Sequence, residues 1–299
     1  MAAEVRVWQE DESPIAQVVA FLKSRKLDTR VIGIEETVRF FASDGLARAL
    51  PVAKMVSANA VVRGCRMIKT PAEIALMQTA TAITVAAINH AIPRVEVGMM
   101  PADISAMINA ATTAMGGTSE FALVLLGEAS AYPHGSGNPQ QVRMREPILM
   151  DCGCTVGGYQ SDVSRTVVLG GATDEQRRVF GHMQEGQRIA FAAAQIGRTA
   201  GSVDDAVRAY YEKLGYGPRY KLPGLSHRTG HGIGMDGHEP VNLVHGETTP
   251  LAAGMCFSNE PGIYAPGKFG VRIEDCFHMT DTGPKWFSEP QRSIEYPAD

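Results

Sequence analysis

The chain has 299 residues, 44% of them hydrophobic and 20% charged, with a formal net charge of −4, enough for one large domain plus a small appendage around a substantial core. With no basic patch or run of like charge, nucleic acid is set aside as a partner. No apolar run reads as long enough to span a membrane, and the start MAAEVRVWQEDESP lacks the basic-then-apolar pattern of an export signal, so a cytoplasmic protein is expected.

Residues 1 to about 64 read as a piece of an α/β unit. Glu4 to Trp8 alternates like a strand, Pro14 to Leu27 has helical spacing, Val31 to Ile34 is a short strand and Val38 to Leu50 a second helix. Thr70-Pro71-Ala72-Glu73 then combines an N-cap threonine, proline at the first helical position and a capping-box glutamate. The helix it opens is predicted to run to about Ile92, before Pro93. A second helix is expected over Pro101–Met115, stopped by Gly116-Gly117, and strands from Phe121 to Leu169. The plan then repeats. Thr173-Asp174-Glu175-Gln176 is another capping box opening a helix to about Ile196, Ser202 caps one ending at Leu214, and strands follow from Ser226. Two similar halves can close face to face around a site at their junction.

Three segments carry chemistry. In ILMDCGCTVGGYQSDVSRT, a hairpin centred on Val156-Gly157 sets Asp151 opposite Asp162. Two facing carboxylates repel unless something positive lies between them, and a metal pair is one solution; a solvated hairpin is the plainer alternative. In SHRTGHGIGMDGHEP, His227, His231 and His238 stand among Gly230, Gly232, Gly234 and Gly237, which keep the backbone slim enough for close approach. In FSNEPGIYAPGKFGVRIED, Glu260 and Glu274 flank a turn at Pro266-Gly267 whose midpoint is Gly267. Alternation there puts Arg272 and Glu274 on one strand face, where a surface salt bridge is the plain reading. Four carboxylates with at least one histidine suit Mn²⁺, Co²⁺, Fe²⁺ or Zn²⁺ better than a thiolate-loving ion. The five cysteines, Cys65, Cys152, Cys154, Cys256 and Cys276, read as reduced thiols, with Cys152 and Cys154 packed as small apolar groups in a strand.

The ordered motifs DxG, GYxSDxxRT, HRTGHGIG with HE, EPGIY and GVRIED resemble the pita-bread metallopeptidases, in the Xaa-Pro dipeptidase and Xaa-Pro aminopeptidase branch, from about residue 66 to the C-terminus. The resemblance implies an α+β pita-bread fold at 66–299, two pseudo-symmetric helix-helix-strand halves, preceded by a partial α/β domain at 1–65. It implies hydrolysis of the bond before proline by a hydroxide between two divalent ions, Mn²⁺ foremost. Asp162 and Glu274 would bridge both ions, Asp151 would hold one, and His231 with Glu260 the other. Glu260 would also act as general base, His238 would bond the substrate carbonyl or oxyanion, and His134 would help at the scissile bond. His227 would line the proline pocket or bind the substrate carboxylate, and Arg272 would support the ligand strand or touch substrate. It further implies a proline-containing peptide as substrate and a homodimer. Relatives usually carry a complete α/β domain first, and this chain reads as beginning partway through one. Methionine aminopeptidases share the ligand set, other pita-bread enzymes act on other C–N bonds, and some members are non-catalytic binding modules that have lost ligands. His90, His182, His245 and His278 match no motif.

Overall fold

The structure, a computed structural model, describes residues 5–295. It divides into two units, residues up to 66 and from 67 onward. In the first unit Ser13 caps α1 (Pro14–Ser24) by accepting from the Ala16 amide. β1 (Val31–Ile34), α2 (Phe40–Ala49) and β2 (Lys54–Ser57) form a β-α-β crossover, the strands pairing in parallel from Val31 opposite Lys54 to Ile34 opposite Ser57. α3 (Asn59–Met67) follows. None of these three helices contributes a fully buried side chain. Of the strand expected over 4–8, Glu4 lies outside the described residues. Residues 5–8 are not a strand: Val5, Val7 and Trp8 are exposed, so the alternation has no face to bury. α1 stops three residues before Leu27, with Lys26 at positive φ. β2 and α3 had no recognised sequence signal.

In the second unit both capping boxes form as read. Thr70 and Glu73 exchange bonds at the start of α4 (Pro71–Ala91), and Thr173 and Gln176 do so at α6 (Asp174–Ala193). Each such cap contributes about 1 kcal/mol. α4 passes into a 3-10 turn at Ile92–Arg94, so Pro93 ends the α-helix without stopping the coil of the chain. By length and composition this segment is apolar enough to cross a membrane. Here its Met77, Ala80, Ala87 and Ile88 are buried. α5 (Pro101–Ala114) ends at Met115, with Gly116 at positive φ. α7 (Ala200–Lys213) starts at Thr199 rather than Ser202; Ser202 sits in the first turn and donates to the Thr199 carbonyl.

Each helix pair backs a sheet. Antiparallel β3 (Thr118–Leu126) and β4 (Pro147–Val156), with β5 (Tyr159–Gln160) and β6 (Val163–Val168) both paired to β4, form the first. The second has the order β13-β12-β9-β7-β8, built from β7 (Gly230–Gly232), β8 (Glu239–Leu243), β9 (Cys256–Asn259), β12 (Asp275–Thr280) and β13 (Gly283–Trp286). A separate hairpin joins β10 (Ile263–Ala265) to β11 (Phe269–Val271). One core packs α4 and α5 on the first sheet through Ile88, Ile104, Ile108, Val124 and Met150. The other packs α6 and α7 on the second through Phe180, Met183, Val203, Phe257 and Phe277. Each such side chain stabilises by roughly 1.5–3 kcal/mol. An antiparallel bridge, Ser164 with Glu274, joins the halves, each amide donating to the other's carbonyl.

Candidate metal centre

The β4–β5–β6 hairpin turns at Gly157-Gly158, both at positive φ, with Val156 opposite Tyr159. This shifts the expected register: Asp151 faces Ser164, not Asp162. Two glycines that accept left-handed geometry fix the turn one residue later than the midpoint argument did. Since Asp162 precedes Ser164 by two, it remains on the same face, diagonal to Asp151. Oxygens of Asp151, Asp162 and Glu274 lie within 4.8 Å of one another.

Glu260 and Glu274 follow the sequence reading. Ile263 faces Val271 on one side of them and Asn259 faces Asp275 on the other, a single register continued around Gly267. Ser164, at the bridge between halves, donates Oγ–H contacts toward Asp151 Oδ1 at 3.0 Å and Glu274 Oε2 at 2.9 Å. Arg165 behind it donates to the carbonyls of Ser164 and Glu274, each at 2.9 Å, and its other nitrogen pairs with buried Asp275 at 2.7 Å.

His231 is held by its backbone: its amide donates to Ser258 Oγ and its Nδ1 to the Gly232 carbonyl at 3.0 Å. A carbonyl can only accept, so Nδ1 carries the proton and Nε2 a lone pair. That lone pair faces Glu260 Oε1 at 3.3 Å, Asp162 Oδ2 at 3.6 Å and Glu274 Oε1 at 3.9 Å. Gly230 permits the close strand packing, because a Cβ there would stand 2.1 Å from the Ser258 carbonyl oxygen. Upstream, Asp204 on α7 accepts from the amide and hydroxyl of Thr229 and from Arg208, whose guanidinium also takes the Leu225 and His227 carbonyls. A buried ion pair thus anchors the strand that carries His231.

Burial, then Asp151, pushes the Asp162 carboxyl well up, and burial, then Asp162, does the same to Glu274. Burial raises Glu260 to about 7, with Arg272 opposing. Burial and then His238 depress His231 well below the usual range, keeping it neutral. His231 Nε2 and Glu274 Oε1 are both buried without a hydrogen-bond partner. An unpartnered lone pair facing three carboxylates is unfavourable as it stands and favourable around a cation, so these residues fit divalent ions.

Arg272 is buried and makes no surface salt bridge with Glu274. It pairs with Asp151 Oδ2 at 2.6 Å and donates to Ser164 Oγ, Tyr264 Oη and the Pro133 carbonyl. Burial works against its charge, but Tyr264 and Asp151 outweigh that and raise its pKa further. Tyr264 Oη in turn bonds His227 Nε2 at 2.8 Å, while His227 Nδ1 donates to the Arg228 carbonyl. Burial and Arg272 lower His227 to about 3, so it is neutral and both its nitrogens are committed within the protein. His238 is exposed, its ring centroid 4.0 Å from that of His231, and its oxygen- and nitrogen-donor neighbours include Asp162. Partial burial and Arg228 lower its pKa. His134 is exposed on the loop before β4 and lines a cavity of about 430 Å³ with Leu123 and Leu125.

Ser164, Tyr264, Arg165 and the Asp204–Arg208 pair had no recognised role in the sequence. Tyr264 is a fixed letter of EPGIY and Arg165 of GYxSDxxRT, where Ser164 fills a variable position; that was the available signal. Cys152 and Cys154 are buried in β4, and burial followed by Asp151 raises the Cys152 thiol, which suits packing rather than metal binding. Among the unassigned histidines, His182 bonds Tyr216, His245 bonds Asp205, His278 packs on Phe287 and His90 is exposed.

Two helix-backed sheets closing on a carboxylate-histidine cluster define a pita-bread hydrolase of the metal-dependent kind. A family model for metallopeptidase family M24 matches residues 75–281, and the chain belongs to that family; it is a peptidase of a class that uses divalent metal ions. An Xaa-Pro dipeptidase of Lactobacillus helveticus is 33% identical over 291 residues, covering 96% of this chain and 78% of that protein. The crystal structure of a dipeptidase from Pyrococcus horikoshii superposes with a TM-score of 0.89 at 28% identity, covering 97% of this chain and 80% of that one. An X-Pro aminopeptidase from Thermotoga maritima gives a TM-score of 0.86 at 29% identity, over 94% and 78%. The similarity lies with the Xaa-Pro dipeptidase branch of the family.

Proposed function

We propose that this chain hydrolyses the peptide bond before proline in Xaa-Pro dipeptides or at the N-terminus of Xaa-Pro peptides, using two divalent ions, Mn²⁺ first among them. The observation that carries the metal reading is the buried His231 Nε2 facing three carboxylates without a partner. The proline reading is supported by the names of its relatives. Asp162 and Glu274 each lie in a donor group with Asp151 and in another with His231. They would therefore be shared ligands, with Asp151 completing one ion's set and His231 with Glu260 the other's.

Bound divalent ions supply Lewis-acid polarisation of the scissile carbonyl and an activated water. Glu260, a carboxylate beside His231 Nε2 in the donor cluster, takes the water's proton and returns it to the leaving proline nitrogen. His238, kept neutral, donates its ring N–H to the carbonyl oxygen as charge develops. Arg272 holds Asp151, and through Tyr264 it orients His227. With both nitrogens committed, His227 offers the proline ring a surface. His134, on the wall of the cavity with Leu123 and Leu125, would contact the scissile region and help proton transfer. Domain limits of 1–65 and 66–299 and a homodimeric state belong to the same proposal; light scattering would return twice the 32.1 kDa chain mass.

The test offers Mn²⁺- or Co²⁺-loaded protein an Xaa-Pro dipeptide, an Xaa-Pro-Xaa tripeptide and a Met-Ala-Ser peptide, each with a chelator control. Chelator-sensitive cleavage before proline is the expected result, and the preferred length distinguishes dipeptidase from aminopeptidase. Metal-loaded protein that leaves all three intact overturns the proposal.

A further inference from the structure

Outside the metal cluster, a second buried ion pair joins the two halves. Lys69 Nζ lies 2.9 Å from Glu239 Oε2, with side chains only 3% and 4% exposed. Lys69 immediately precedes the Thr70 cap of α4, and its amide donates to the Gly254 carbonyl. Glu239 opens β8 directly after His238. Its other oxygen, Oε1, accepts from the amides of Met235 and Asp236 at 2.9 and 3.1 Å. The carboxylate therefore closes the turn 234–239 from inside, and Lys69 neutralises it. Gly234 is part of the fit: a Cβ there would stand 2.6 Å from Lys69 Cε and 2.9 Å from Glu239 Oε2. His238 is the penultimate residue of this turn and is exposed on it. Among the described residues no hydrogen bond holds its ring, so the turn is what sets its place over His231.

We infer that the Lys69–Glu239 pair is a positioning device for His238, fixing its ring where it meets the substrate. The inference rests on the role proposed for His238 above. A buried ion pair costs desolvation and is a poor source of stability by comparison with packed apolar groups. Its retention here fits a geometric role, in which a turn of small residues is held to one conformation by a charged, doubly accepting carboxylate.

The test is a double-mutant cycle on the metal-loaded enzyme. K69M alone strands the Glu239 charge in the interior, which destabilises the fold, so the neutral pair K69M/E239Q, which keeps the Oε1 acceptor, is the working variant. It is expected to bind wild-type equivalents of Mn²⁺, to lower kcat by about 10²-fold as displaced catalytic groups do, and to leave KM nearly unchanged. In an H238A background the same pair of substitutions should cost nothing further. Equal fold-losses in both backgrounds, or no loss in the wild-type background, overturn the inference. An activity-independent arm follows the histidine ring resonances by NMR on Zn²⁺-loaded protein, since Zn²⁺ is diamagnetic and leaves them sharp. Those of His238 should shift in K69M/E239Q while those of His227 stay, and unmoved His238 resonances overturn the inference as well. Wild-type protein inactive on every peptide overturns the functional reading instead, and the resonance arm still decides the positioning.

Discussion

Replacing Glu260 by glutamine should have opposite consequences for the metal-free and metal-loaded protein. Burial lifts Glu260 from an ordinary 4.5 to about 7. In metal-free protein the folded carboxyl keeps its proton between those values, where the unfolded one has lost it. The folded state binds more protons in that window, so stability falls as pH rises from 4.5 through 7 and is flat above it. A rise of about 2.5 pH units at about 1.4 kcal/mol per unit amounts to about 3 kcal/mol. Glutamine does not titrate. Under chelator, E260Q should therefore gain on wild type by about 3 kcal/mol between pH 4.5 and pH 8. With Mn²⁺ bound the cation takes the proton's place, the charged carboxylate becomes the favourable form, and E260Q should be the less stable protein. Urea unfolding followed by Trp286, which stacks on Phe191 at 4.1 Å, measures both series. A stability gap independent of pH under chelator, or loaded E260Q as stable as loaded wild type, would refute the reasoning.

Asp162→Asn and Glu274→Gln should each abolish turnover through loss of bound metal, since both lie in two donor groups; normal metal content by elemental analysis with normal turnover would remove the shared-ligand assignment. His238→Ala should keep the metal and lower kcat by roughly 10²–10³, as loss of an oxyanion donor does, and undiminished steady-state rates would count against its role. Asp204→Asn leaves the buried Arg208 guanidinium without its anion and loosens Thr229. It should cost about 3 kcal/mol or more, read as a lowered urea midpoint, and an unshifted midpoint would contradict it.

Local chemistry was legible in the chain. Both capping boxes formed because a side chain and an amide three residues apart need no tertiary partner. The Glu260 and Glu274 register followed from a turn centred on Gly267. Asp151, Asp162, His231, Glu260 and Glu274 lie close together in space, with Asp151 and Asp162 meeting diagonally because two adjacent glycines moved the turn. Alternation at 5–8 misled, since a strand also needs a neighbour and a face to bury.

What only the tertiary structure decided was partnership over long separations. Ser164 meets Glu274 across 110 residues, Arg272 chooses Asp151 over its neighbour Glu274, and Lys69 finds Glu239 across 170. Residue type and spacing determine which groups can bind a cation or move a proton. Which of them become buried, neutral or paired depends on the closure of one half upon the other, because desolvation and hydrogen bonding act only between groups that the fold has already brought together.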